Sequence, residues 1–425
     1  MKALIITYYW PPAGGPGVQR WLKFVKYLPE FGIEPVIYTA KNPVYPVEDY
    51  SLEQDIPEGI KVLRQPIWEP NAVFGKKKSK KSAGFLNDKP SFFGKLMLYV
   101  RANFFIPDSR KYWIKPSVKY LENYLDNNLV DVIITTGPPH SVHLIGLSLK
   151  QKLNVKWLAD FRDPWTAIDY FHKLPLAKKS IKKHYSLEQE VVEKADAVTV
   201  VGKTMADSYA NLNKNIYVIS NGYDTPAKME QITLDDNFSL VHIGSFNADR
   251  NHTIFWEAVH EICLENNNFK RDLSIKLIGG VAKEVLQDIK NCQLQKYTTV
   301  VPYLAHHEVI RHQFSAQVLL VLVNNVPSAR GIVTGKIFEY LNTKRPVLAI
   351  GPTDGDLAEI LKISKTGKIV GFEDKKQLKK EILSLYHEYN NGTLKRNPEN
   401  IKQYHRKNLT ESLSVVLRSI GNNKS

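Results

Sequence analysis

Short apolar runs alternate with amphipathic stretches along the whole chain. In the first half the runs at residues 3–9, 34–39, 60–64, 131–136, 155–160, 197–201 and 216–219 predict strands. Several are apolar without a break, such as Val132-Ile133-Ile134 and Val198-Thr199-Val200-Val201. A strand apolar on both sides belongs to a sheet covered on both faces. Between these runs the spacing predicts helices over 18–30, 112–127, 141–152, 177–194 and 203–211. The turn-rich segment Asn221-Gly222-Tyr223-Asp224-Thr225-Pro226 breaks the rhythm, which then starts again. Strands are expected at 239–243, 274–278, 298–301, 318–323, 347–350 and 368–370. Helices at 253–265, 282–290, 307–314, 332–342, 355–361 and 375–389 separate them, and 399–420 reads as one or two helices with no strand beyond. The pattern is that of an α/β protein with two tandem Rossmann-like, doubly wound domains.

A length of 425 residues suits two domains, and 43% hydrophobic with 24% charged residues excludes wholesale disorder. No stretch approaches the ~18 apolar residues needed to cross a bilayer. The apolar start meets Pro11-Pro12 and is too short and aromatic for a signal sequence, so it reads as a buried first strand. Cys263 and Cys292 are too few for a disulfide framework and too far apart for a CxxC motif. A reducing compartment is the simplest reading, with both thiols as small core hydrophobes.

The formal net charge of +15 favours an anionic partner. Residues 76–119 hold twelve Lys or Arg against Asp88 and Asp108, which puts +10 of that charge in one segment. The lysine-rich run 76–81 is followed by Phe85-Leu86, Phe92-Phe93, Leu96-Met97-Leu98-Tyr99 and Phe104-Phe105-Ile106. Such interleaving suits an interfacial helix on anionic lipid, each cation near the surface adding ~1 kcal/mol. A solvated loop beside an ordinary core helix is the plainer alternative. Nucleic acid is disfavoured as a partner, because no nucleic-acid module is present and the charge follows no helix or groove pattern.

Four loops carry candidate chemistry. Pro11-Pro12-Ala13-Gly14-Gly15-Pro16-Gly17 joins the first strand to a helix, where glycine lets backbone approach an anion; a plain tight turn is the alternative. It lacks the third glycine and the ribose-binding acid of a dinucleotide site, so NAD is disfavoured. Thr135-Thr136-Gly137-Pro138-Pro139-His140-Ser141 and Asp160-Phe161-Arg162-Asp163-Pro164-Trp165 follow strands at their carboxyl ends, where open α/β sheets bind ligands. Asp160, Arg162 and Asp163 read either as an Arg162–carboxylate bridge or as groups that orient or deprotonate a sugar hydroxyl, and His140 as a helix-cap residue or a catalytic one. In the second half, Arg250 stands beside a helix start, and Gly335-Lys336-Ile337-Phe338-Glu339 opens another. Arg250, Lys336 and helix amides would neutralise a diphosphate, with Glu339 accepting from ribose hydroxyls. The alternative for Lys336 and Glu339 is a surface ion pair worth ~0.2–0.5 kcal/mol.

Taken together these residues resemble a GT-B glycosyltransferase, similar to the glycosyltransferase family 4 group. The resemblance rests on Pro11-Pro12-x-Gly14-Gly15, residues 160–165, Val201-Gly202-Lys203, Ile219-Ser220-Asn221-Gly222-Tyr223-Asp224, Gly244 to Arg250, and Gly335-Lys336-Ile337-Phe338-Glu339. It implies an acceptor-binding domain over 1–222, with 400–425 packing back on it, and a nucleotide-sugar-binding domain over 223–399. It also implies an active site in the cleft between them, no cofactor and no metal, and a hexosyltransferase-like enzyme that retains anomeric configuration. Asp160, Asp163, His140 and Arg162 would be the catalytic group. Gly15, Arg250, Lys336 and Gly335 would bind the donor diphosphate, and Glu339, Tyr303 and Leu304 the ribose and base. Ser245 stands where the family usually has an arginine, and Gly331 replaces the first glutamate of its Glu-x7-Glu motif, of which Glu339 is the second. The expected reaction moves a sugar from a nucleotide sugar to a polysaccharide or lipid-linked acceptor in cell-envelope synthesis. The expected place is the cytoplasm or the inner face of the membrane, with residues 76–119 on anionic lipid. The rival readings are a GT-B nucleotide-sugar epimerase, a nucleic-acid-binding protein and a non-catalytic sugar-binding protein.

Overall fold

The structure, a computed structural model, describes residues 1–69, 92–225, 232–304 and 306–421. The chain divides into two compact units, Met1–Gly222 with Arg406–Ser425, and Tyr223–His405.

The first unit is built on seven parallel strands: β1 (Lys2–Ile6), β2 (Glu34–Lys41), β3 (Lys61–Pro66), β4 (Val132–Gly137), β5 (Trp157–Phe161), β6 (Ala197–Val200) and β7 (Ile216–Val218). They lie in the order β3-β2-β1-β4-β5-β6-β7. The helices are α1 (Pro16–Tyr27), α2 (Phe92–Phe104), α3 (Lys111–Asn127), α4 (Ser141–Leu153), α5 (Lys178–Lys194) and α6 (Lys203–Tyr209). Side chains alternate across each strand, and both faces of the sheet are covered. Leu4, Ile6, Ile133 and Trp157 pack with Trp113 and Leu121 of α3 and Ile145 of α4. Ala3, Ile5, Ile134 and Leu158 pack with Trp21, Leu22 and Val25 of α1 on the other side. That second layer is completed from the far end of the chain by Leu409, Leu413, Leu417 and Ile420. The Arg406 side chain ties the returning segment down, donating to the Gly222 carbonyl at 3.1 Å and to Gln19 Oε1 at 3.0 Å.

The second unit has six parallel strands: β8 (Phe238–Ile243), β9 (Leu273–Ile278), β10 (Thr298–Val301), β11 (Val318–Leu322), β12 (Val347–Ile350) and β13 (Gly367–Val370), in the order β10-β9-β8-β11-β12-β13. Its helices are α7 (Thr253–Glu265), α8 (Asn267–Asp272), α9 (Lys283–Asn291), α10 (His306–Ser315), α11 (Lys336–Asn342), α12 (Asp356–Ser364) and α13 (Lys375–Asn390). The last helix, α14 (Arg406–Gly421), belongs to the first unit. The α/β class and the doubly wound topology expected from the sequence are therefore present in both sheets.

Some expectations change in detail. The helix expected at 332–342 starts only at Lys336, because a 3-10 turn at Ala329–Gly331 and an extended Ile332 occupy the residues before it. Short α8 was not legible, since Asn266, whose side chain caps it, reads as a turn. Cys263 is buried, as expected, but Cys292 is only half-buried. Within the basic segment, the 76–81 run and Phe85-Leu86 lie outside the described residues, whereas the part from Phe93 onward forms most of α2 and the start of α3. Among the described residues no helix is long and apolar enough to cross a membrane.

Candidate active site

In each sheet the strand order reverses direction next to the first strand of its unit: between β1 and β4, and between β8 and β11. Open α/β sheets bind ligands at the carboxyl ends of strands at such switch points. The loops singled out from the sequence leave the sheets there.

In the first unit three of those loops meet at Arg162. Its Nε and NH2 donate to the Gly137 and Pro138 carbonyls at 3.3 and 2.6 Å, and its backbone N–H donates to the Gly137 carbonyl at 3.1 Å. The guanidinium lies over the Tyr9 ring at 5.7 Å and against Gly17, where a Cβ would come within 2.9 Å of Arg162 Cζ. Gly17 thus lets the first turn of α1 approach the arginine. Gly15, at φ +94°, caps α1 in a conformation that favours glycine, with open space where a Cβ would stand.

Asp160 takes the structural alternative, and with a partner other than Arg162. Its side chain has no exposed surface and accepts five hydrogen bonds. Arg20 donates through NH2 at 2.8 Å and Nε at 3.2 Å, Trp21 Nε1 at 2.7 Å, Thr136 Oγ1 at 2.9 Å and Thr199 Oγ1 at 2.8 Å. Burial alone would raise its pKa, but the Arg20 charge and these donors hold it below the usual carboxylate value. With both oxygens committed, Asp160 joins β5 to α1, β4 and β6 and has no lone pair facing a sugar. Arg20 also donates to the Ile219 and Ser220 carbonyls, both at 2.8 Å, and so fixes the last segment before the inter-unit break. The sequence reading missed Arg20, which sits in an unremarkable amphipathic helix.

His140 is buried and stacked on Trp165, with ring centroids 4.6 Å apart and planes 6° off parallel. Burial, then the neighbouring His143, Arg162 and His184, push its pKa well below the ordinary histidine value, so it is neutral. It is accordingly a weak base, and its buried Nδ1 has no hydrogen-bond partner among the described residues. Trp165 is itself held by Nε1 donating to His184 Nδ1 at 3.0 Å and by its N–H donating to Glu188 Oε1 at 3.2 Å. Buried Glu188 also accepts from Tyr209 OH at 2.5 Å and from the Thr166 hydroxyl, which makes it the clamp of the 163–166 loop. Nothing in the charged sequence of α5 singled it out. Asp163, by contrast, keeps exposed surface, while desolvation holds its carboxyl above the ordinary value against the pull of Arg162.

In the second unit the loops after β8 and β11 are stitched together around Arg250. Its Nε donates to Asn324 Oδ1 and its NH1 to the Ser245 carbonyl, both at 2.8 Å, while Asn325 N–H donates to the Asp249 carbonyl at 3.0 Å. Gly244 has φ +104°, and a Cβ there would lie 2.6 Å from Lys336 Cε, so this glycine gives the lysine its path across the strand end. Lys336 is half-buried and makes no hydrogen bond or ion pair among the described residues. Desolvation and the Arg250 charge push its pKa down to about 7, against a smaller pull upward from Glu339. A cavity of about 10 Å³ is lined by His242, Arg250, Thr334 and Lys336 with residues 320–322 of β11. Burial and the two cations keep His242 neutral, with its pKa well below the ordinary value.

The remaining candidates divide. Gly335 precedes α11, whose seven residues make a short dipole, so Lys336 itself carries the positive charge here. Glu339 accepts from Gln313 Nε2 at 2.6 Å, which replaces the surface Lys336–Glu339 pair considered from the sequence. Tyr303 is 68% exposed and Leu304 packs partly on the core. Both follow edge strand β10, two strand positions from β8, about 10 Å at ordinary strand spacing. Among the described residues no three His, Cys, Asp or Glu side chains are grouped to hold a metal ion.

Two doubly wound units with polar clusters at both switch points define a GT-B fold. Solved structures with this architecture are similar to the chain over nearly its whole length. Sucrose-phosphate synthase from Thermosynechococcus elongatus matches 99% of this chain and 97% of its own, at TM-score 0.60 and 14% identity. A TarM variant from S. aureus, in complex with fondaparinux, α-GlcNAc-glycerol and UDP, matches 100% of each chain at TM-score 0.61 and 12% identity. UDP-GlcNAc 2-epimerase from Methanocaldococcus jannaschii matches 99% and 100%, at TM-score 0.56 and 12% identity. Identities this low speak for the fold alone. No curated protein matches the sequence. Residues 83–226, however, match the family model of Glycosyltransferase Family 4.

Proposed function

We propose that the protein transfers a sugar from a nucleotide sugar to a glycan or lipid-linked acceptor, with the donor diphosphate held by Lys336 and Arg250. The observation that carries this reading is Lys336 itself: a desolvated ammonium facing a guanidinium beside a glycine-cleared strand end. Such a group is costly alone and is stabilised by an anion between the two cations. The TarM complex, a relative in fold, holds UDP.

In this reading the bond from the anomeric carbon to the diphosphate oxygen breaks and its electron pair stays on the diphosphate. Lys336 and Arg250 meet that growing charge without a metal. The acceptor hydroxyl bonds to the anomeric carbon on the same face, and its proton passes to the departing phosphate oxygen. Asp163, exposed in the first unit, is the carboxylate left to orient that hydroxyl once Asp160 is accounted for. Gly15 and the N–H groups after it offer the donor a second contact, and Tyr303 a face for the base. The protein works at the inner membrane face, where the exposed apolar side of α2 and its flanking cations touch anionic lipid.

Titration calorimetry with UDP- and GDP-sugars tests the donor half: one nucleotide class binds wild-type protein, and Lys336→Ala binds it at least tenfold more weakly. Equal binding by both proteins overturns the assignment. Turnover of the donor without any acceptor would instead identify an epimerase, and proton NMR of the product reads the anomeric configuration.

A further inference from the structure

Helix α5 carries most of its charges against its own dipole. Lys178, Lys179, Lys182 and Lys183 occupy its first two turns, at the positive end, while its glutamates lie in the carboxyl half. All four lysines are exposed, and among the described residues none makes an ion pair or a hydrogen bond. Lys178 with Lys182, and Lys179 with Lys183, add like-charge repulsion four residues apart. The first turn holds no acid, and Ala177 before it offers no side-chain cap.

The same Lys-Lys-x-x-Lys-Lys sequence opens α13 at 375–380, and there the protein compensates it. Asp374 caps that helix, accepting from the Gln377 N–H at 3.0 Å. Lys375 pairs with Glu257 at 3.1 Å and Glu261 at 2.9 Å, and Lys379 with Glu265 at 2.6 Å, all three glutamates on α7. The motif is shared, so the difference lies in the surroundings: the fold supplies carboxylates to one helix and none to the other. A cluster of cations that local rules disfavour, and that the fold leaves uncompensated, points to an anion from outside.

An aromatic surface borders these lysines. Tyr185 falls at helical spacing with Lys178 and Lys182 and is 54% exposed. Its ring meets Phe171 edge to face with centroids 6.2 Å apart, and Phe171 meets buried His184 in the same way at 5.4 Å. Phe171 opens a 3-10 turn in the loop between Asp163 and α5. Tyr170, just before it, is 45% exposed and interacts with Asp163. Aromatic rings beside unpaired ammonium groups suit a chain of sugars bearing acidic groups, whose C–H faces lie on the rings while the acids meet the cations. A lipid surface would need a contiguous apolar face among the lysines, and Tyr185 is the one large apolar side chain of α5 that is exposed.

We propose that this face of α5 binds the anionic chain of a glycan acceptor and leads its end past Tyr170 to Asp163. The inference rests on the glycosyltransferase reading and narrows its acceptor to an acidic polysaccharide.

The test is fluorescence anisotropy of a labelled oligogalacturonate with the full-length protein, read as a function of salt. A neutral maltooligosaccharide of equal length, phosphatidylglycerol vesicles and single-stranded DNA are the comparison arms. Wild-type protein is expected to bind the oligogalacturonate and not the neutral chain; absence of binding at low salt overturns the proposal. Lys178→Ala combined with Lys182→Ala should weaken binding about tenfold and flatten its salt dependence. Tyr185→Ala should weaken it with the salt dependence unchanged. Lys376→Ala combined with Lys380→Ala, at the matching exposed positions of α13, should have no effect. Equal losses for the two lysine pairs overturn the proposal in favour of unspecific charge. Tighter binding to vesicles or DNA than to oligogalacturonate, insensitive to Tyr185→Ala, overturns it in favour of a lipid or nucleic-acid surface. Nucleotide-sugar binding, measured on the same samples, tests the donor reading alone, so the failure of either is separately visible.

Discussion

The two switch points use the same topology to hold charge in opposite ways. In the first unit two buried carboxylates are paired with arginines, Asp160 with Arg20 and Glu69 with Arg110, and a third, Glu188, is held by neutral donors. The rings between them, His140 and His143, are neutral. In the second unit a desolvated Lys336 faces Arg250, with a smaller opposing influence from Glu339, which accepts from Gln313. A completed pair gives rigidity and no affinity. An uncompensated cation destabilises the free protein and is relieved by an anionic ligand. On the reading proposed above, the difference gives Asp160 an architectural role and Lys336 a ligand-binding one, although both are charged residues near strand ends.

The largest effect that would break this contrast is at Asp160. Asp160→Asn leaves the Arg20 charge buried opposite a neutral amide, and losing one partner of a buried pair costs ~3–5 kcal/mol. Chemical denaturation should register that loss in full. A variant with unchanged stability but no transfer activity would return Asp160 to the catalytic group and erase the distinction.

Lys336→Met should do the reverse. Removing an ammonium that is desolvated beside another cation is expected not to lower the melting temperature, while donor affinity falls by ~1.5–3 kcal/mol, the worth of a charge-assisted hydrogen bond. If the melting temperature falls as well, Lys336 has a structural partner and the two sites are alike.

How much of this was legible beforehand follows the range of the interactions. Unbroken apolar strands and loops at strand ends are local patterns, so both sheets and the loops at their switch points could be read along the chain. The pairing of Arg20 with Asp160 spans 140 positions and that of Glu188 with Tyr209 joins α5 to α6. Neither leaves a local mark: Arg20 looks like any polar position on α1, and Glu188 like one more charge on a charged helix. Arg162 was legible as important because its neighbours Asp160 and Asp163 crowd it, but its true partners are carbonyls of Gly137 and Pro138, a type of contact no side-chain pattern announces.

The shifted Lys336 also makes a pH prediction. With a folded-state pKa of about 7 against an ordinary 10.5, the free protein is neutral at this position between those values while the unfolded chain is protonated. Stability from this group is complete above pH 10.5, declines as pH falls, and is lost by about pH 7. A bound diphosphate raises the pKa, so nucleotide-sugar affinity should weaken by up to tenfold per pH unit between ~7.5 and ~9. Calorimetry in buffers of different ionisation enthalpy should show uptake of a proton there. Lys336→Arg, which stays charged, should bind with a flat profile; an equally sloped profile would place the titration elsewhere.

The smallest expected effect lies in the first unit and asks whether its completed contacts matter to the reaction at all. Trp165 is buried, stacks on His140 and donates to His184, and its N–H is held by Glu188. Trp165→Phe keeps a ring against His140 but deletes the indole donor, leaving His184 Nδ1 without it. The loss should be ~0.5–1.5 kcal/mol, within the range of a single neutral hydrogen bond. If the stack serves to hold the 163–166 loop, the loss appears as a raised KM for the acceptor with donor affinity unchanged, because the loop carries Asp163 and not the donor cations. A change in donor affinity would couple the two switch points more closely than their separate electrostatics allow. Glu188→Gln discriminates further: the amide keeps one acceptor oxygen for the Trp165 N–H but loses the charge that Tyr209 and Thr166 donate to. A rise in acceptor KM with Glu188→Gln but not with Trp165→Phe would locate the positioning in the clamp and leave the ring stack as packing.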